Sequence, residues 1–170
     1  DSDYDIWLTQ LGWEDTCNSA KYDITAVFDV TSTAEPTKLC YSSVTSAFTE
    51  MYVDGEQIDV TSAYTFNTTG EHTVNYMMTN NTSIVSYAFS GCTRMTEIEL
   101  PDSITSIGAQ AFSNCSSLIS IEIPDSVTSI NFYAFSKCSS LTSITLPQNL
   151  SSNIGTSTFD SCSSLTEIVI

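Results

Sequence analysis

A single histidine, His72, limits the chemistry open to this chain. A Ser–His–Asp or Cys–His arrangement needs an imidazole as its base, so any such site would have to be built on that one residue. His72 follows Glu71 in an alternating stretch that reads as a strand, where an exposed structural histidine is expected. Zinc calls for cysteines at C-x-x-C spacing, and the six cysteines contain no such pair. The chain also lacks a phosphate loop, a dinucleotide fingerprint and a D-x-D-x-D-G calcium loop. Two carboxylates about 5–10 Å apart can hydrolyse glycosides, and Glu97, Glu99 and Glu122 come together on one strand face. They would stand on an open sheet without a pocket to shift a pKa, so a solvated acidic face is expected. No catalytic residue, cofactor or metal is predicted. The remaining groups with binding chemistry are the aromatics Trp7, Trp13, Tyr41, Tyr52 and Tyr64, which stack on sugars where they are exposed and pack in a core where they are not.

What positions these residues is a repeat. Cys92, Cys115, Cys138 and Cys162 follow one another at intervals of 23, 23 and 24 residues. Phe89, Phe112, Phe135 and Phe159 keep the same step, as do Met95, Leu118, Leu141 and Leu165, and Ile98, Ile121, Ile144 and Ile168. A fixed period of this length marks a solenoid, because each unit buries its apolar side only against its neighbours. Within one unit Leu118, Ile121 and Ile123 alternate with Ser120 and Glu122, the pattern of a short strand with one buried face. Pro124 ends it, since proline donates nothing to a ladder. Val127 and Ile130 add an inward pair, and Ala134, Phe135 and Cys138 close the coil in a tight helical or 3₁₀ turn. Gly108, Asn131 and Gly155 share one position, for which a left-handed turn is expected. Three residues, 151–153, lie where the last unit carries its extra residue, expected to bulge outward.

Like residues one coil apart sit about 4.8 Å apart with parallel side chains, which is poor disulfide geometry. Four of the cysteines are therefore expected as a ladder of buried free thiols. Cys17 and Cys40 lie outside the array, and nothing in the sequence decides whether they pair.

The stretches "LISIEIPDSVTSI" and "AFSNCSSL" resemble the BspA-like leucine-rich repeat, over about residues 84–170. That resemblance implies a right-handed solenoid with a parallel sheet on its concave face. It also implies a secreted or cell-surface bacterial adhesion protein whose partner the family does not fix.

The first eighty residues differ in texture but stay β-rich. "ITAVFDV" alternates Ile24, Ala26, Phe28 and Val30. Asp54-Gly55 is a strong hairpin turn, and a further pair of strands is expected around Thr69-Gly70. Short strands at this spacing predict a small sandwich, and "TTGEHTVNY" resembles a strand of bacterial immunoglobulin-like modules. The predicted fold class is thus mainly β. Residues 1–78 form a sandwich that caps the solenoid, fused rigidly to repeats at 79–170, with the strand carrying Val74, Tyr76 and Met78 doubling as the first solenoid strand. Residues 6–13, with Ile6, Trp7, Leu8, Leu11 and Trp13, fit a helical turn or a strand and are expected to pack on the sandwich.

Four basic residues against twenty acidic ones argue against nucleic acid and anionic membrane as partners. No apolar run reaches the ~20 residues that span a bilayer. The start at Asp1 without a leader is read as processing or truncation, and the stop inside the fourth repeat strand as a piece of a longer array. The concave columns predicted to face a ligand are Glu97, Ser120, Ser143 and Glu167, beside Glu99, Glu122 and Thr145. Hydroxyls framed by acids suit an extracellular protein or peptide, of host or bacterial origin. The alternatives are a carbohydrate-binding module in the N-terminal sandwich, which would make a glycan the partner, and a structural spacer of a larger surface protein.

Overall fold

The structure, a computed structural model, describes residues 22–148, 150 and 154–170. The expectations for Trp7, Trp13, Cys17, the rest of 1–21 and the insertion at 151–153 lie outside the described residues. The N-terminal strands are β1 (Ile24–Val30), β2 (Thr37–Lys38), β3 (Phe48–Val53), β4 (Glu56–Ile58), β5 (Ala63–Tyr64) and β6 (Gly70–Met78). The repeats contribute β7 (Ser83–Ile84), β8 (Met95–Glu99), β9 (Ser106–Ile107), β10 (Ser120–Glu122), β11 (Ser129–Ile130), β12 (Ser143–Thr145) and β13 (Glu167–Val169).

Period-two alternation sets the N-terminal sheet. In β1, Ile24, Ala26, Phe28 and Val30 are buried while Asp29 is exposed, so one face is core and the other is not. Asp54 and Gly55, at φ 52° and 86°, close the β3–β4 hairpin with the two left-handed residues that a type I′ turn needs. The expectation at Thr69-Gly70 is corrected in part. Strands flank it, but β5 pairs with β2 and not with β6. The β2–β5 ribbon and the chain after β2 cover the buried face of the main sheet, where the Tyr76 hydroxyl donates to the Leu39 carbonyl at 2.9 Å.

The main sheet runs β4-β3-β6-β1-β8. The join to the repeats is therefore at β1, which pairs antiparallel with β6 on one edge and with β8 on the other. This corrects the expectation that β6 would be the first solenoid strand. Val74 and Tyr76 do alternate inward, but alternation reports a buried face and not which neighbour a strand takes. Both edges of β6 are occupied, by β3 and β1. The connection after it is tied down: Thr79 N–H donates to the Ala47 carbonyl at 2.8 Å, and Asn80 Oδ1 accepts from the Thr82 amide at 3.0 Å.

In the repeats like sits over like. β10, β12 and β13 are parallel and in register, with Ile121 over Ile144 over Ile168. β8 lies beside β10, and Ile119 N–H donates to the Thr96 carbonyl at 3.1 Å. A second parallel ladder, β7-β9-β11, stacks Ile84, Ile107 and Ile130 and continues to Ile154. The third side of each coil is a run of tight turns, not a helix. Its amides bond to the next coil, as Phe112 N–H does to the Ala134 carbonyl at 2.8 Å. The phenylalanine rings stack face to face at 5.5, 5.2 and 5.8 Å with interplanar angles of 7°, 4° and 9°. Phe89, Phe112 and Phe135 are fully buried. Burying one such side chain contributes about 1.5–3 kcal/mol, and offset ring pairs add roughly 0.5–1.5 kcal/mol.

The left-handed turn falls elsewhere in the coil than expected. Gly108 and Gly155 do not have positive φ; Tyr87, Gln110, Tyr133 and Ser157 do, at φ 66°, 55°, 57° and 57°. Glycine is needed at 108 and 155 because the coils approach there. A Cβ on Gly108 would stand 2.5 Å from the Ser86 nitrogen, and one on Gly155 2.2 Å from the Phe132 nitrogen. Asn131 takes the same place in the middle coil, its Nδ2 donating to the Ile107 carbonyl at 3.1 Å.

Candidate functional site

The predicted ligand columns form as rows across the parallel sheet. Ser120, Ser143 and Glu167 are adjacent in register, as are Glu122, Thr145 and Val169. Glu97 and Glu99 head the two rows on β8, one coil before Ser120 and Glu122. Glu97, Glu99, Ser120, Glu122, Thr145 and Glu167 are exposed and Ser143 is half-buried. Elsewhere in the coils hydroxyls act as stitches between turns: Thr142 donates to the Ile119 carbonyl, Thr166 to that of Thr142, and Thr128 to that of Thr105, at 3.2, 3.3 and 3.2 Å. Among the described residues the hydroxyls of Ser120, Ser143 and Thr145 make no side-chain hydrogen bond.

Sequence reasoning missed how far this face extends. Because β1 joins β8, the rows continue in register onto the N-terminal sheet: Glu99 lies opposite Thr25, Thr25 opposite Asn75, and Asn75 opposite Tyr52, with Asn75 buried and its Nδ2 donating to the Thr25 hydroxyl at 2.9 Å. The other row runs from Glu97 through Val27 to Thr73. No signal in the sequence pairs residues 25 and 99. The face is also less flat than expected. Two open clefts of about 310 Å³ flank Glu99, one lined by Tyr22, Asp23, Thr25, Leu100, Pro101 and Asp102, the other by Ile98, Asp102, Glu122 and Pro124.

His72 is not the exposed residue expected. Its side chain keeps 10% of its surface, held by Asp54 Oδ2 at 2.7 Å from Nδ1 and by the Thr68 carbonyl at 3.1 Å from Nε2. Asp54 also accepts from the Thr73 amide at 2.9 Å, so the pair staples the β3–β4 turn to β6. Of the aromatic candidates, Tyr41 is exposed, while Tyr52 and Tyr64 are half-buried. Among the described residues no three His, Cys, Asp or Glu side chains gather to hold a metal ion.

Cys92, Cys115 and Cys138 are buried free thiols. Cys115, Cys138 and Cys162 donate to the carbonyls of Phe89, Phe112 and Phe135 at 3.1, 3.1 and 3.0 Å. Cys40 is likewise buried and free, its thiol 3.5 Å from the Thr61 carbonyl. Burial pushes the Cys115 thiol from 9.0 up to about 12 and Cys40 up to about 11. Cys92 is raised well above its ordinary value by burial, and Cys138 by its contact with Cys162 and by burial. These are not nucleophiles. An unfolded thiol ionises near pH 9 while folded Cys115 holds its proton to about 12. Between those values the unfolded state binds fewer protons, so stability falls as pH rises. Urea midpoints should hold steady below about pH 8 and decline above pH 9, and native Cys92 and Cys115 should resist a thiol reagent at pH 8.

The decisive comparison is with the BspA-type leucine-rich repeat region, whose family model matches residues 59–170 in six copies. The chain belongs to that family. Its repeats are the coils described above, and the match begins at residue 59, upstream of the first regular coil. A crystal structure of a leucine-rich repeat protein from Bacteroides ovatus is similar at 37% identity and a TM-score of 0.49, covering 51% of this chain and 22% of that one. The chain therefore spans under a quarter of that protein's length. Among curated proteins none matches. Leucine-rich repeats of this type serve protein binding in general and are typically not catalytic.

Proposed function

We propose that this BspA-type protein is a non-enzymatic recognition protein, secreted or held at the cell surface, that binds an extracellular protein or peptide across the concave face. The observation that carries the reading is the set of uncommitted hydroxyls of Ser120, Ser143 and Thr145, in register with Glu97, Glu99, Glu122 and Glu167. Four carboxylates on one face of a chain with net charge −16 favour a basic partner, steering encounter as well as fixing register. Residues 1–78 serve as the capping part and 79–170 as the repeats. The ribbon laid over the main sheet supports a two-layer, sandwich-like cap. Among the described residues no helix is long and apolar enough to cross a membrane.

Reversing Glu99 and Glu122 to lysine should weaken capture of basic extracellular host proteins at least about tenfold and reduce its salt dependence. Surface plasmon resonance against proteins recovered by pull-down measures both. Binding that is unchanged in strength and salt response removes this face as the site.

The carbohydrate-binding alternative for the N-terminal part draws on Tyr41. That ring packs tilted against Tyr87 of the first coil, 5.6 Å between centres, which directs attention from the cap to the edge of the repeats.

A further inference from the structure

The turn side of the coils, away from the β8–β13 sheet, has residues that the solenoid does not need. Each coil places two residues in the left-handed region: Gly91, Asn114, Lys137 and Ser161, and, four places earlier, the four residues Tyr87, Gln110, Tyr133 and Ser157. Glycine and asparagine suit that conformation, and a bulky side chain is an outlier there. Two of the four are tyrosines. Beside Tyr133 stands Phe132, where the other coils carry Ser86, Ala109 and Thr156. Phe132 is 48% exposed and Tyr133 43%, with the rings set edge to face at 6.3 Å. Tyr87 and Tyr41 are 38% and 37% exposed. The buried phenylalanine column already supplies the core of these coils, so the exposed rings contribute little to it.

Charge sets this side apart. Residues 85–91, 108–114 and 131–137 contain no carboxylate in a chain that holds twenty, and the matching stretch of the last coil, 155–161, holds one, Asp160. Lys38 Nζ lies 4.5 Å from the centre of the Tyr41 ring. Between the two aromatic pairs sits Gln110, whose Nε2 donates to the Tyr87 hydroxyl at 3.0 Å.

We infer that this aromatic edge binds a β-1,4-linked polysaccharide chain lying along the solenoid axis. Tyr87 and Tyr133 occupy the same position two coils apart, and the ring centres of the neighbouring phenylalanine column lie 5.5 and 5.2 Å apart from coil to coil. One sugar of such a chain is about as long as one of these steps, so alternate sugars meet alternate coils. A pyranose presents its C–H face to an aromatic ring and its hydroxyls sideways to groups such as the Gln110 amide. Area argues against a protein here. Four rings at these exposures offer roughly 300 Å², below the ~500 Å² that each side gives to a specific protein interface of ~1,000 Å² in total. A ligand one ring wide fits a strip one ring wide. Surroundings with a single carboxylate, Asp160, suit a neutral, hydroxyl-rich chain.

Isothermal titration with cellohexaose and chitohexaose tests the inference on the whole chain. At least one hexasaccharide should bind, and its disaccharide should bind at least tenfold more weakly because it cannot reach both coils. The double variant Phe132→Ser, Tyr133→Asn should lose at least tenfold in affinity while melting no lower than the parent, since asparagine relieves a left-handed tyrosine. That pairing of lost binding with kept stability separates a binding role from a structural one. The absence of binding by both hexasaccharides, or binding that the double variant retains, overturns the proposal. Retained binding would place the sugar on the N-terminal part.

Discussion

Replacing Phe112 by alanine should lower the stability of this chain by about 3–5 kcal/mol, the usual range for an aromatic truncated in a packed core. The ring is fully buried and stacks on Phe89 on one side and Phe135 on the other, so both coil interfaces lose contact at once. Chains of this size typically have only about 5–15 kcal/mol in total. Solenoid stability is close to a sum of unit terms and nearest-neighbour terms, and a weakened middle coil is therefore expected to uncouple the two ends. Urea denaturation should show an earlier transition that is also less cooperative than the parent's. Phe132→Ser on the adjoining coil is the control: the same residue type, half exposed and outside the stack, should shift stability by no more than about 0.5 kcal/mol. Equal effects from the two substitutions would mean that the ring column does not hold the coils together.

That contrast also marks how far the fold was legible in the sequence. A period of 23 residues states that Phe89, Phe112, Phe135 and Phe159 are stacked, because a solenoid has no other means of burying one repeated residue. The concave rows follow from the same period, and so do the parallel thiols. What the sequence withheld are contacts between segments that do not repeat. β1 and β6 both alternate, so both satisfy the pattern of a strand beside the first coil, and only register and edge occupancy choose β1. As a result the extension of the face through Thr25, Asn75 and Tyr52 was invisible. The glycine position illustrates a second limit. Gly108 and Asn131 share tolerance for left-handed backbone, which suggested a turn. The structure uses the other property of glycine, its missing Cβ, and puts left-handed residues two and six places later, at Gln110 and Asn114 and at Tyr133 and Lys137. Composition alone does not separate those two uses.

Gly108→Ala turns that distinction into a measurable sign. At a position of ordinary φ with room for a methyl group, alanine for glycine stabilises by roughly 0.4–1 kcal/mol through the unfolded chain. Here the added carbon would sit 2.5 Å from the Ser86 nitrogen, 2.7 Å from the Val85 carbonyl carbon and 2.8 Å from the Ile84 oxygen. All three are backbone atoms of the preceding coil, and no side chain can swing aside. The same point is pinned by the bond from Gly108 N–H to the Ile84 carbonyl at 2.8 Å, so relieving the clash stretches that bond and parts the coils. Overpacking of this kind costs about 1–3 kcal/mol and occasionally more; with a ladder bond weakened as well, about 3 kcal/mol or more is expected. Asn131→Ala supplies the comparison, since that backbone already carries a Cβ and loses only the side-chain bond to the Ile107 carbonyl, worth about 0.5–1.5 kcal/mol. Thermal and urea unfolding of both variants decide the matter. A stabilised Gly108→Ala would show that the coils stand farther apart at this column, and close approach would then no longer explain the glycine there.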